Sequence, residues 1–126
     1  MSFPYGNIYR TVEAKTASYA CVPGDLGKIL TNRGAGGAIT ITLPPVTSPT
    51  LPHGWWVDVF AVAGQNLTVA SAGSNDNIVT FNDAAADSVS FETASEIIGG
   101  SARFIWDGTG WLCQLFVNET QTPVIA

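Results

Sequence analysis

The sequence predicts an all-β domain, an antiparallel β-sandwich of jelly-roll type with about nine short strands and extended terminal arms. Three observations carry that expectation. Alternating or β-branched runs recur roughly every ten residues, turn signals rich in Gly, Pro, Asn and Asp separate nearly all of them, and no stretch keeps a long helical period. A chain of 126 residues fits one domain that buries roughly two-thirds of the surface its unfolded form exposes. The expected organisation is an N-terminal arm over residues 1–16, a sandwich over 17–118 and a C-terminal tail over 119–126.

Taken in order, the expected strands are residues 19–22, 28–31, 38–43, 55–62, 67–70, 77–81, 88–91, 101–106 and 110–117. In "AITITLP", Ile39, Ile41 and Leu43 share a face while Thr40 and Thr42 share the other. In "WWVDVFAV", Asp58 interrupts one face and leaves the other apolar. "RFIWDGTGWLCQLFV" reads as a hairpin around Asp107-Gly108-Thr109-Gly110, whose glycines reach left-handed angles cheaply. A second hairpin is expected around residues 63–66, and "NDAAADS" offers one helical turn at most. The expected core is Trp55, Val57, Val59, Ile39, Ile41, Leu67, Val69, Val89, Phe91, Phe104, Trp106, Leu112 and Phe116.

Charge narrows the partners. Five basic residues against ten acidic give a net charge of −5 with no basic cluster, so a nucleic-acid partner is not expected. No run is apolar enough to span a membrane, and the N-terminus lacks the basic start and apolar run of a secretory signal. Synthesis in a cytoplasm follows, and with it Cys21 and Cys113 as unpaired thiols.

Chemistry finds no foothold. His53 is the single histidine and sits in a proline-rich loop, so neither a His-pair metal site nor a Ser-His-Asp arrangement can be assembled. Asp76, Asp83 and Asp87, with Asn75, Asn77 and Asn82, are the residue types that hold Ca²⁺, but their spacing matches turn capping better. Glu92 and Glu96 carry no glycosidase geometry, and Gly34, Gly36 and Gly37 do not precede a helix that would cradle phosphate. The expectation is no catalytic residue, no metal and no cofactor.

Four tryptophans remain. Trp55 and Trp56 are adjacent in a strand and must point to opposite faces, so one of them is outward and needs a cover. Trp106 and Trp111 belong to the closing hairpin, and the four together fit either a sugar-stacking platform or anchors of a core and a subunit contact. The bridge "PPVTSPTLP" has too few N–H groups to extend a sheet and guards against stray edge pairing.

The ordered series "YACVPGDLGKILTNRGAGGAITITLPP", "HGWWVDVFAVAGQNLTVASAG" and "SARFIWDGTGWLCQL" resembles a β-module of tailed-phage virion proteins. Tyr19, Asp25, Gly27, Lys28, Thr40, Thr42, Leu43, Pro44, Gly54, Trp55, Asn66, Leu67, Thr68, Asp107, Gly108, Thr109 and Trp111 carry the likeness. The resemblance implies a non-enzymatic virion protein, made in a bacterial cytoplasm, that decorates or cements the capsid against the major capsid protein. It implies a homo-oligomer, a trimer before a dimer. Trp55 or Trp56, with Phe3, Tyr5 and Tyr9 of the arm, are the expected contact residues. The alternative is a tail- or head-fibre domain that binds a host-surface glycan.

Overall fold

The computed structural model describes residues 9–47, 50–73, 77–118 and 121–126. These form twelve strands: β1 Val12–Ala14, β2 Tyr19–Ala20, β3 Ile29–Thr31, β4 Ile39–Thr42, β5 Trp56–Phe60, β6 Leu67–Ala70, β7 Ile78–Thr80, β8 Asp83–Ala86, β9 Ser88–Phe91, β10 Ser101–Trp106, β11 Trp111–Phe116 and β12 Val124–Ile125. One 3-10 turn, Pro23–Asp25, precedes β3. The strands lie in a seven-stranded sheet of order β1-β3-β5-β10-β11-β7-β8 and a five-stranded sheet of order β12-β9-β6-β4-β2.

The all-β, sandwich-like expectation holds, but the sheets are mixed and not purely antiparallel. The first half of the chain explains why. Odd strands β1, β3 and β5 enter one sheet and even strands β2, β4 and β6 the other, so the chain winds through three coils that stack in parallel. Stacking is like on like: Ile39 beside Leu67, Thr40 beside Thr68 and Ile41 beside Val69. The strings "AGGAITIT" and "AGQNLTVA" thus occupy equivalent places on successive coils. The second half closes the sheets with antiparallel pairs, β6 with β9, β5 with β10 and β10 with β11.

This winding overturns the hairpin expected at residues 63–66, since β5 and β6 lie in different sheets. The chain turns there on a buried asparagine. Asn32 Oδ1 accepts the N–H groups of Val62 at 2.7 Å and Ala63 at 2.8 Å, while its Nδ2 donates to the carbonyls of Ala63 and Gln65, each at 3.3 Å. All four hydrogen-bonding positions of one fully buried amide are filled.

Apolar side chains from both inner faces make the core, among them Leu30, Val57, Val59, Phe104 and Trp111 against Ile41, Leu67, Val69 and Val89. Eleven of the thirteen expected core residues are in it; Leu112 and Phe116 are not, being 39% and 52% exposed. The string "WLCQLF" is apolar at both parities, so alternation does not choose its inner face. Trp111 does, because it pairs with Trp106 and has the largest apolar surface to hide.

Two further corrections concern the edges. Asp83–Ala86 is a strand and not a helical turn, because three alanines are too few to hold a helix against pairing with β7. The expected arms are partly woven into their own chain: β1 joins β3, and β12 joins β9. The hairpin at Asp107–Gly110 is present, with Gly108 at φ 96° and a Cβ there blocked by the His53 ring.

Asn32→Ala leaves four part-buried backbone groups without their partner, and the expected loss of unfolding free energy in urea titration is about 3 kcal/mol. A loss under about 1 kcal/mol would show that the corner holds without the amide.

Candidate functional site: the outer face of the seven-stranded sheet

Alternation sends Trp55 inward and Trp56 outward. Trp55 is buried, with its Nε1 donating to the Pro23 carbonyl at 3.0 Å, which excludes it from a subunit contact in the folded chain. Trp106 and Trp111 are buried with it, their ring centroids 5.4 Å apart, and Trp55 meets Trp111 edge-on at 5.7 Å. The Trp111 Nε1 has no hydrogen-bond partner, so these ring contacts are what the core offers it. Three of four tryptophans are interior, and no sugar-stacking platform is assembled from them.

Trp56 finds its cover within its own chain. The guanidinium carbons of Arg10 and Arg103 lie 4.5 and 4.7 Å from its ring centroid, at cation–π distance. Asp58, two residues along β5 and therefore on the same face, accepts from Arg10 Nη1 at 2.8 Å and from Arg103 Nε at 2.8 Å and Nη2 at 3.0 Å. Arg10 also donates to the Gly27 carbonyl from Nε at 3.0 Å and Nη2 at 2.9 Å. Partial burial works against the charged form of Asp58, but the hydrogen bonds from Arg103 and then Arg10 outweigh it and hold its carboxyl below the usual range.

The same face carries apolar rows, which the pairing register sets side by side. Ser101 stands between Phe60 and Phe116; Ile105 stands between Trp56 and Leu112, with Val79 beyond Leu112. Phe60, Phe116, Leu112 and Val79 are all exposed, and Phe81 follows β7 at 58% exposure. Sequence reading missed Leu112 and Phe116 because it assigned them to the core, and it singled out none of Phe60, Val79 and Phe81. The Asp58 break in an otherwise apolar strand was the available signal.

The resemblance residues Tyr19, Asp25 and Lys28 do come together, as a support beneath this face. Buried Asp25 accepts from Tyr19 Oη at 2.8 Å, Val22 N at 2.9 Å and Lys28 Nζ at 2.9 Å, and Lys28 also donates to Glu13 at 2.9 Å. Burial opposes ionisation of Asp25, yet these three donors together depress its pKa, and the Tyr19 phenol that donates to it is pushed up to about 12.

The remaining candidates are separate from one another. Phe3, Tyr5, Asn75 and Asp76 lie outside the described residues, and Tyr9 is exposed. Asp83 Oδ1 accepts from Ala85 N at 2.9 Å, an Asx turn. Glu96 is occupied by Thr122, accepting from its Oγ1 at 2.6 Å, while Glu92 lines a separate cavity of about 360 Å³ with Gly64 and Ile98. His53 lines another of about 590 Å³ with Leu51 and Trp106, where the proline bridge folds Leu51 into the core. Among the described residues no three metal-ligating side chains cluster, and no helix is long and apolar enough to cross a membrane. Cys21 and Cys113 are free thiols, each pushed up to about 12 by burial.

No family model matches the chain, and no curated protein is significantly similar to it.

The depressed carboxyls set an acid limit. Asp25 and Asp58 bind protons more weakly folded than unfolded, so their stabilisation is complete above the unfolded value of about 4 and is lost as pH falls through the folded values. Urea midpoints are expected to be flat near neutrality and to fall below about pH 4, with Asp58→Asn flattening part of that fall at a cost near pH 7 of about 2 kcal/mol. Tyr19 has the opposite sign: its contribution is present below about 10 and lost as pH rises through about 12. Phenolate absorbance should therefore show one late-titrating tyrosine that Tyr19→Phe removes; an unchanged titration curve would disprove the Tyr19–Asp25 bond.

Proposed function

We propose that this chain is a non-enzymatic structural subunit of a tailed-phage virion, a small protein that self-associates and decorates or cements the head on contact with the major capsid protein. The observation that carries the reading is the outer face of the seven-stranded sheet. Two exposed apolar rows, Phe60 with Phe116 and Leu112 with Val79, flank the polar row of Asp58, Arg103 and Gln114, and Phe81 follows β7 beyond them. Such a face calls for another protein surface, and closed symmetry between identical copies is the commonest way to cover one. A trimer is the oligomer that the resemblance to capsid-decorating proteins favours, with a dimer next. Buried networks at Asp25 and Asn32 that brace the two-sheet fold support a structural role.

The fibre-type alternative, in which the chain binds a host glycan, drew its support from an exposed tryptophan platform. With Trp55, Trp106 and Trp111 buried and the Trp56 ring covered by two arginines, that support falls away.

At micromolar concentration the purified chain is expected to scatter light as a particle of three 13.2 kDa protomers, and labelled protein imaged on virions is expected on the head. A monodisperse monomer that labels only the tail would overturn the proposal.

A further inference from the structure

We infer that residues 1–8 of one copy lie on the outer face of a second copy's seven-stranded sheet, with Phe3 on the row of Phe60 and Phe116 and Ile8 on the row of Leu112 and Val79. This rests on the self-association proposed above and names what covers the face.

The pairing register locates the point from which the segment departs. Val12 is level with Ile29 and Asp58, and Ala14 with Thr31 and Phe60. Counting back two residues from Val12 sets Arg10 level with Trp56, and the Arg10 guanidinium does lie over that ring. The chain that precedes Arg10 therefore arrives beside the outer face, at its Trp56 end.

The composition of the segment suits the face. "MSFPYGNI" holds Phe3, Tyr5 and Ile8 and no charged residue. Charged groups on the face already answer one another, Arg10 and Arg103 both binding Asp58, so a covering segment needs apolar side chains and not charge. Length suits it as well. Leu112 and Phe116 are four residues apart, about 13 Å along β11, and the five extended steps from Phe3 to Ile8 span about 17 Å. One segment laid obliquely along β11 meets both rows and passes Tyr5 over the strip of Arg103 and Gln114 between them.

Direction turns the segment away from its own sheet. β1 runs from the Trp56 level toward the Phe60 level, so backward from Arg10 the chain leaves past Trp56, away from Phe60 and Phe116. To reach its own Phe116 it would cross four strand spacings, about 19 Å, and four residues of level, about 13 Å, which is about 23 Å in a straight line. Seven steps separate Arg10 from Phe3 and extend to about 25 Å at most. That leaves too little for the reversal and for passing over the unit of Arg10, Trp56 and Arg103. A second copy meets the outgoing segment without a turn, and the exchange closes among three copies, the ring proposed above, or between two.

Two measurements test the exchange. Deleting residues 1–8 from the full chain should leave dilute, dissociated protein with its wild-type urea midpoint, while the dissociation constant read by sedimentation velocity rises about tenfold or more. Co-expressed Phe3→Cys and Phe116→Cys chains, mildly oxidised, should give a disulfide-linked pair on a non-reducing gel in an amount that neither variant gives alone; Phe116 is exposed, so its replacement spares the core. A truncated chain that keeps the wild-type dissociation constant, or co-expressed variants that give no linked pair, overturns the exchange and leaves self-association standing. Linkage confined to single chains of the double variant places the segment on its own sheet and likewise overturns it. Wild-type protein that stays monomeric at every concentration overturns both.

Discussion

The two-sheet winding depends on how the chain leaves one sheet and enters the other without stranding backbone groups in the interior. Asn32 solves that problem for two coils at once. Its side chain lies at the corner after β3 and binds the corner between β5 and β6, so the second coil fixes the path of the third. A hydrophobic side chain in that place would fill the volume but leave buried N–H and C=O groups unpaired. Register follows from the corner: once β6 starts where Asn32 directs it, Ile39 meets Leu67 and Thr40 meets Thr68.

Polar groups also decide how the outer face is organised. Arg10, Arg103, Asp58 and Trp56 form one compact unit in which two cations cover an aromatic ring and one carboxylate orders them. The arginine stems shield apolar surface while their heads stay in contact with water, the usual behaviour of long cationic side chains. Its Asp58–Arg103 row lies between the exposed pair Phe60 and Phe116 and the exposed Leu112. Beneath it, the Asp25 network ties β2, the 3-10 turn and β1 together through Tyr19, Lys28 and Glu13.

Much of this was legible in the sequence, and the failures have physical causes. All nine expected strands exist, and the inward Ile39, Ile41, Val57 and Val59 follow from alternation. Alternation works where one parity is polar. It fails at β11, where Trp111, Cys113 and Leu115 compete with Leu112 and Phe116 for the interior. Strand direction was beyond local pattern altogether, because parallel pairing of β4 with β6 is set by corners distant in sequence. The cover on Trp56 was likewise invisible, since Arg10 and Arg103 lie far apart along the chain and meet only through the pairing of β1 with β3, β3 with β5 and β5 with β10. By contrast, the Asp107 turn was readable because its geometry is local: Oδ1 accepts from Thr109 N and Gly110 N, both at 2.7 Å.

The taper of the coil stack bears on fibril formation. Among the described residues the sheets end on β1 with three residues, β8 with four, and β2 and β12 with two each. An edge that short offers a passing strand too few hydrogen bonds to template growth. Parallel coils stacked like on like are otherwise well suited to propagate without limit, each turn a platform for another. Among the described residues the platform narrows at these edges, which leaves crowded copies of the folded chain little backbone to pair through.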